Sequence, residues 1–163
     1  MLVTVALYAL AWSAFHLGAG YVAYRLSART LARLPVVSAS YAWERGGRLY
    51  EPLGIRAWKD RLPEAGDFFQ GGISKRDLGG RDAAHLERFA LETSRAEYGH
   101  WLTWALSVSF FAWTPWPIGV FMVVFGGLVN LPFIMVQRYN RARLRRLGRR
   151  SARRIHPDTR ACR

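Results

Sequence analysis

Cysteine is almost missing: Cys162 is the only one in 163 residues. One thiol closes no disulfide within the chain and builds no cysteine-based metal site. That fits a chain facing the cytosol. Charge is missing over two long stretches, because residues 1–24 and 99–137 hold no Asp, Glu, Lys or Arg. Signature motifs are missing as well. The chain has no P-loop, no Rossmann glycine pattern and no GxSxG turn. An HxxxxD motif fails too, since Ala105 stands five residues after His100. Residues 25–98 contain no internal repeat.

What is present is apolar surface and arginine. The hydrophobic fraction is 51%, with seven tryptophans, and the formal net charge is +13. That is too apolar for a disordered basic tail and too unevenly charged for an ordinary soluble enzyme. Residues 138–163 carry eleven arginines against one acid, Asp158. Residues 25–98 are nearly balanced, with thirteen basic and ten acidic side chains. Most of the excess charge is therefore one C-terminal run.

Three segments are candidates for a bilayer, whose hydrocarbon core of ~30 Å takes about 20 apolar residues as a helix. Residues 1–24 form the first, followed at once by Arg25 and Arg29. Its start has no basic side chain, which favours an uncleaved anchor over a signal peptide. The second, Trp101 to Trp113, is short and reaches spanning length if Tyr98 and Trp116 mark its interfaces. Trp101 and Trp104 at one end, with Trp113 and Trp116 at the other, suit an aromatic belt. The third, Ile118 to Val136, is uniformly uncharged. Pro115 and Pro117 should turn the second into the third as a hairpin. The positive-inside rule then sets the N-terminus outside and the C-terminus in the cytosol. The expected fold is an all-α integral membrane protein of about three spans.

The expected organisation is a first span over 1–24, a cytosolic loop region over 25–81, a long helix and hairpin over 82–137, and a basic cytosolic tail over 138–163. Within the loop region, Leu49 to Phe69 mixes aromatics with Arg56, Lys59 and Arg61, as a binding loop or a surface-lying amphipathic stretch does. Lys75 and Arg76 could meet an anion. From a cap at Asp82, one helix should run into the second span and break only near Pro115.

Polar residues at the edge of the apolar runs are the candidate chemistry. Glu97 and His100 are three apart, so they share a helix face and can touch. A carboxylate beside an imidazole orients it and suits it to general-base work on a hydroxyl. The plainer alternative is a helix end carrying ordinary interfacial ion pairs. Asn130 lies inside the third apolar run and needs a partner there. Pro132 removes a backbone donor, so a kink is expected. Gln137, Arg138, Tyr139, Asn140 and Arg141 follow at the boundary. The hairpin puts these and His100 at the same cytosolic edge. Such a polar pocket could take a lipid-like acceptor from the bilayer and a phosphate-bearing donor from the cytosol. From Arg145 onward, a basic tail holding anionic lipid is the simpler reading. His16 and His85 read as packed or solvated residues, and no metal cluster emerges. Nucleic acid is not an expected partner, since no recognition fold presents the arginines.

At these residues the chain resembles a family, the glycosyl-4,4'-diaponeurosporenoate acyltransferases of the staphyloxanthin type. ETSRAEYGHW, Glu92 to Trp101, is similar to that family's E-T-x-R-A-E-x-x-H-W block. NLPFIMVQRYNRARL, Asn130 to Leu144, is similar to its N-x-P-x-I-x-x-Q-R-Y-N-R-x-R-L block. RAWKDRLP, Arg56 to Pro63, is a weaker match near an x-W-K segment. The resemblance implies transfer of a fatty acyl group to a sugar hydroxyl of a carotenoid glycoside. It points to Glu92, Arg95, Glu97, His100, Trp101, Asn130, Gln137, Arg138, Asn140 and Arg141, and more weakly to Trp58 and Lys59.

The expectation is thus a membrane O-acyltransferase with His100 as base and Glu97 as its orienting partner. Arg95, Arg138 and Arg141 would bind the donor's phosphates or polarise its thioester carbonyl. Asn130 or Gln137 would donate to the developing oxyanion. No cofactor is expected; acyl-CoA or an acyl-carrier protein would be the co-substrate. The rival classes are a non-catalytic membrane adaptor and another interfacial lipid enzyme, such as a small helical methyltransferase.

Overall fold

The computed structural model describes residues 2–38, 41–62 and 83–155. Every regular element among them is helical. In order they are α1 (Leu2–Arg25), α2 (Ala28–Arg33), α3 (Pro35–Ser38), a 3-10 stretch (Ala42–Tyr50), α4 (Ile55–Trp58), a 3-10 turn (Lys59–Arg61), α5 (Ala83–Leu106), a second 3-10 stretch (Ser107–Ala112) and α6 (Trp116–Ile155). The expected cap at Asp82, the anion-meeting Lys75 and Arg76, and Cys162 lie outside the described residues.

The chain divides into two compact units. The first takes in α1 to α3, the C-terminal half of α5 from Ser94, and α6 as far as Gln137. Its centre is aromatic. Phe110 is fully buried and is ringed by Tyr8, Trp12, Phe15 and Trp113, with ring centroids 5.0–5.9 Å away. Edge-on and tilted pairings of this kind add to the apolar burial. Glycines let the helices close. A methyl group at Gly126 would stand 2.8 Å from the Trp12 ring, and one at Gly127 would stand 3.0 Å from Trp104. The contacts of α5 on α6 pair Trp104 with Val123 and His100 with Asn130. Numbers rise on one helix as they fall on the other, so the two run antiparallel where they touch.

Outside that centre the unit presents apolar side chains. Leu2, Trp116 and Leu128 are 83%, 72% and 69% exposed. Leu2–Arg25 and Trp116–Arg146 are each long and apolar enough to cross a membrane. Together they suggest membrane association, because water penalises such surface and lipid does not.

The middle segment departs from expectation. Instead of running as α-helix to Pro115, the chain leaves α5 at Leu106 and tightens into 3-10 geometry over Ser107–Ala112. The sequence SVSFFA accounts for it. Ser107 turns its hydroxyl onto the Trp104 carbonyl at 2.6 Å, and Thr114 does the same to Phe110 at 2.7 Å. Hydroxyls that bond the preceding turn compete with the α-helical ladder, and Ser, Val and Phe are modest helix formers. One tryptophan departs too. Trp104 donates its indole N–H to the Val123 carbonyl at 3.0 Å, so it packs α5 on α6 where an interfacial belt was expected. α6 continues through Pro132.

The second unit takes in residues 40–93 and the chain from Arg138 onward. Its Ala42–Tyr50 stretch is interrupted by three left-handed residues, Arg45, Gly46 and Gly47, at φ of 47°, 64° and 92°. Glycine is needed at 47 on two counts. The backbone is left-handed there, and a methyl would stand 3.2 Å from the Ala142 side chain. α6 carries the basic run onward as helix to Ile155.

Candidate active site

His100 sits in the last two turns of α5, and Asn130 lies opposite on α6. The imidazole Nδ1 is 2.9 Å from the Asn130 Oδ1. Asn130 is fully buried, and its Nδ2 donates to the Gly126 carbonyl one turn back at 2.9 Å. The Phe133 ring stacks on the imidazole with centroids 4.6 Å apart and planes 17° from parallel. Asn130 thus meets the ring at Nδ1, and Phe133 covers one face. At Nδ1 the partner is an amide. The reason is tertiary: the facing helix brings an amide to the ring edge.

Glu97 is fully buried one turn before His100. Its Oε1 accepts the Trp101 indole N–H at 3.3 Å. Trp101 in turn stacks on Trp104, at 5.4 Å between centroids. Arg95 reaches back to α1's end, where Nη2 donates to the Leu26 carbonyl at 3.3 Å and the guanidinium lies 5.9 Å over Tyr24. Gln137 is buried, and its Oε1 has no hydrogen-bond partner among the described residues. A buried carbonyl oxygen in that state is a standing acceptor for a donor group. So the first unit gathers Arg95, Glu97, His100, Trp101, Asn130 and Gln137.

The other expected residues belong to the second unit. Arg138 pairs through Nη1 with Glu44 Oε1 at 2.8 Å, with side chains only 10% and 8% exposed. Its guanidinium also lies 5.3 Å over Tyr41. The sequence reading gave Arg138 to a donor's phosphates; the structure balances its charge with a buried carboxylate. Asn140 and Arg141 are buried on the same helix. Glu92 and Lys59 are half-buried. Trp58 is half-buried too and donates its indole N–H to the Leu53 carbonyl at 2.9 Å.

Glu44, Tyr41 and Tyr50 were not singled out from sequence. Glu44 is buried, accepts the Tyr50 hydroxyl at 2.8 Å, and takes the Tyr41 backbone N–H at 3.3 Å. Burial first, and then the bond to Glu44, push the Tyr50 hydroxyl well above its usual pKa of 10.0. The Tyr139 hydroxyl accepts from Arg56 Nε at 3.2 Å. The available signal was a lone carboxylate between aromatics and a Gly-Gly pair. Among the described residues no His, Cys, Asp and Glu side chains group as a metal site.

A half-buried histidine with Asn130 at Nδ1, beside a buried carboxylate and a buried amide acceptor, can move a proton on a hydroxyl. Comparison with known proteins gives the family. Residues 35–150 match the model of an acyltransferase family, and the chain belongs to that family, glycosyl-4,4'-diaponeurosporenoate acyltransferase. A relative with this name from Staphylococcus haemolyticus is 29% identical over 93% of this chain and 87% of its own. One from Staphylococcus aureus is 27% identical over 85% of this chain and 84% of its own. No solved structure matches the chain.

Proposed function

We propose that the protein is an integral-membrane O-acyltransferase. It moves a fatty acyl group from a thioester donor to a sugar hydroxyl of a glycosylated carotenoid or similar glycolipid. The observation that carries this is the His100–Asn130 bond, which orients the imidazole through Nδ1. His100 takes the hydroxyl proton as the sugar oxygen attacks the thioester carbonyl. The tetrahedral intermediate collapses, the C–S bond breaks, and the imidazolium returns its proton to the leaving thiolate. The nearby Glu97 carboxylate balances the imidazolium while it exists. Gln137, with its buried acceptor oxygen, holds a second hydroxyl of the sugar. Arg141 and the basic run after it draw the phosphate-bearing donor to the protein, acyl-CoA or acyl-carrier protein.

The membrane arrangement in this reading is three spans, with the N-terminus outside and the C-terminus in the cytosol. The antiparallel contacts of α5 on α6 support pairing the last two as a hairpin. The test is mass spectrometry of pigments and lipids from a host that makes a carotenoid glucoside. Wild type, His100→Ala and an empty vector are compared at matched membrane levels. A fatty-acyl mass increment with wild type alone is expected. A well-expressed wild type giving no acylated lipid at all would sink the enzyme reading, leaving an adaptor.

A further inference from the structure

A primary amide buried in an apolar helix must satisfy both of its ends. Asn130 does so asymmetrically. Its Nδ2 donates to the Gly126 carbonyl at 2.9 Å. Turning the amide over would set Oδ1 against that carbonyl, acceptor facing acceptor. The orientation is therefore dictated by the helix, and Oδ1 must face His100 Nδ1 at 2.9 Å. An amide oxygen only accepts. Nδ1 must then carry the hydrogen. In the neutral imidazole the lone pair is left on Nε2 alone.

Two further features lock the arrangement. Phe133, one turn after Asn130 on α6, stacks on the imidazole and fixes its plane. Gly126, whose carbonyl holds the amide, is itself wedged against Trp12 and Trp104. The chain of support runs from a packed glycine to an amide to a ring nitrogen. We propose that Asn130 is a positioning residue that fixes His100 in the Nδ1–H tautomer, so that Nε2 is the only nitrogen able to take a proton. Its role in turnover rests on the acyltransferase reading; the tautomer itself does not.

The full-length protein, labelled with 15N-histidine in nanodiscs, reports the tautomer directly through its imidazole nitrogen shifts. His100 signals are those that vanish in His100→Gln. In wild type, at a pH where the ring is neutral, the Nδ1–H form is expected. Asn130→Ala should shift His100 toward the Nε2–H form or an average, and lower turnover at least about tenfold with little change in the KM for acceptor. Asn130→Asp keeps an oxygen at Nδ1 and should keep the tautomer, so it decides the matter if the alanine variant does not fold. A wild-type His100 in the Nε2–H form would overturn the inference. So would an Asn130→Ala protein with an unchanged tautomer, or an Asn130→Asp protein that loses it. If the tautomer behaves as expected while wild type acylates nothing, the acyltransferase reading fails and the lock stands. If wild type acylates and Asn130→Ala does so equally well, the positioning role in turnover fails.

Discussion

At Gly126 a single hydrogen in place of a side chain sets the spacing of three segments. A methyl there would meet Trp12 at 2.8 Å, the Ser107 hydroxyl at 3.2 Å and Trp104 at 3.3 Å. Aromatic rings packed among others cannot all give way, so Gly126→Ala should cost about 1–3 kcal/mol, the usual range for overpacking. Gly99 is a control on a neighbouring helix. A methyl at Gly99 would meet Ala23 at 3.8 Å, an ordinary contact, so Gly99→Ala should be close to neutral. Thermal unfolding in detergent compares the two. Equal losses would mean that the helices are not spaced as described. Asn130 teaches the same lesson from the polar side. Its cost in an apolar run was legible in the sequence, which demanded a partner. Which partner it found was not, because that depends on how α5 and α6 are set against each other.

At the scale of an element, the Ala42–Tyr50 stretch is built around a buried charge. Arg138 and Glu44 are almost out of solvent, and losing one strands the other. Arg138→Ala should therefore destabilise the protein by about 3–5 kcal/mol, while Arg138→Met with Glu44→Gln should recover much of it. Chemical unfolding of both variants checks this; a mild Arg138→Ala would mean that the carboxylate finds water. Tyr50 adds a dependence on pH. Its pKa is raised in the folded protein, chiefly by burial, so the folded state holds that proton more tightly than the unfolded chain does. The resulting stability is fully present below the ordinary value of 10.0 and is lost progressively as the pH rises above it. Ultraviolet titration should show one of the seven tyrosines ionising late, and Tyr50→Phe should remove that step. None of this was evident in the sequence. Residues 25–81 read as a loop region, and nothing local says that Glu44 is buried.

For the whole molecule, the arginine-rich end makes a prediction about sidedness. Cys162 is the single thiol, so no substitution is needed to report on it. A membrane-impermeant maleimide should label the chain only after the membrane is opened. Labelling in intact cells would reverse the proposed orientation, and with it the access of a cytosolic thioester to the site.

Helical class, apolar runs and the residues worth suspecting followed from the amino-acid order, because uncharged stretches of spanning length and ionisable groups at their edges are local properties. The two family blocks were readable in the same way. Tertiary structure decided the rest. It ended α5 in a 3-10 stretch with the Ser107 hydroxyl on the preceding turn, turned Trp104 inward onto α6, and gave Arg138 to Glu44. It also set Asn130 against His100 Nδ1. The physical reason is common to all four: a hydrogen-bonding group declares its need along the chain, but the packing of helices selects the partner that meets it.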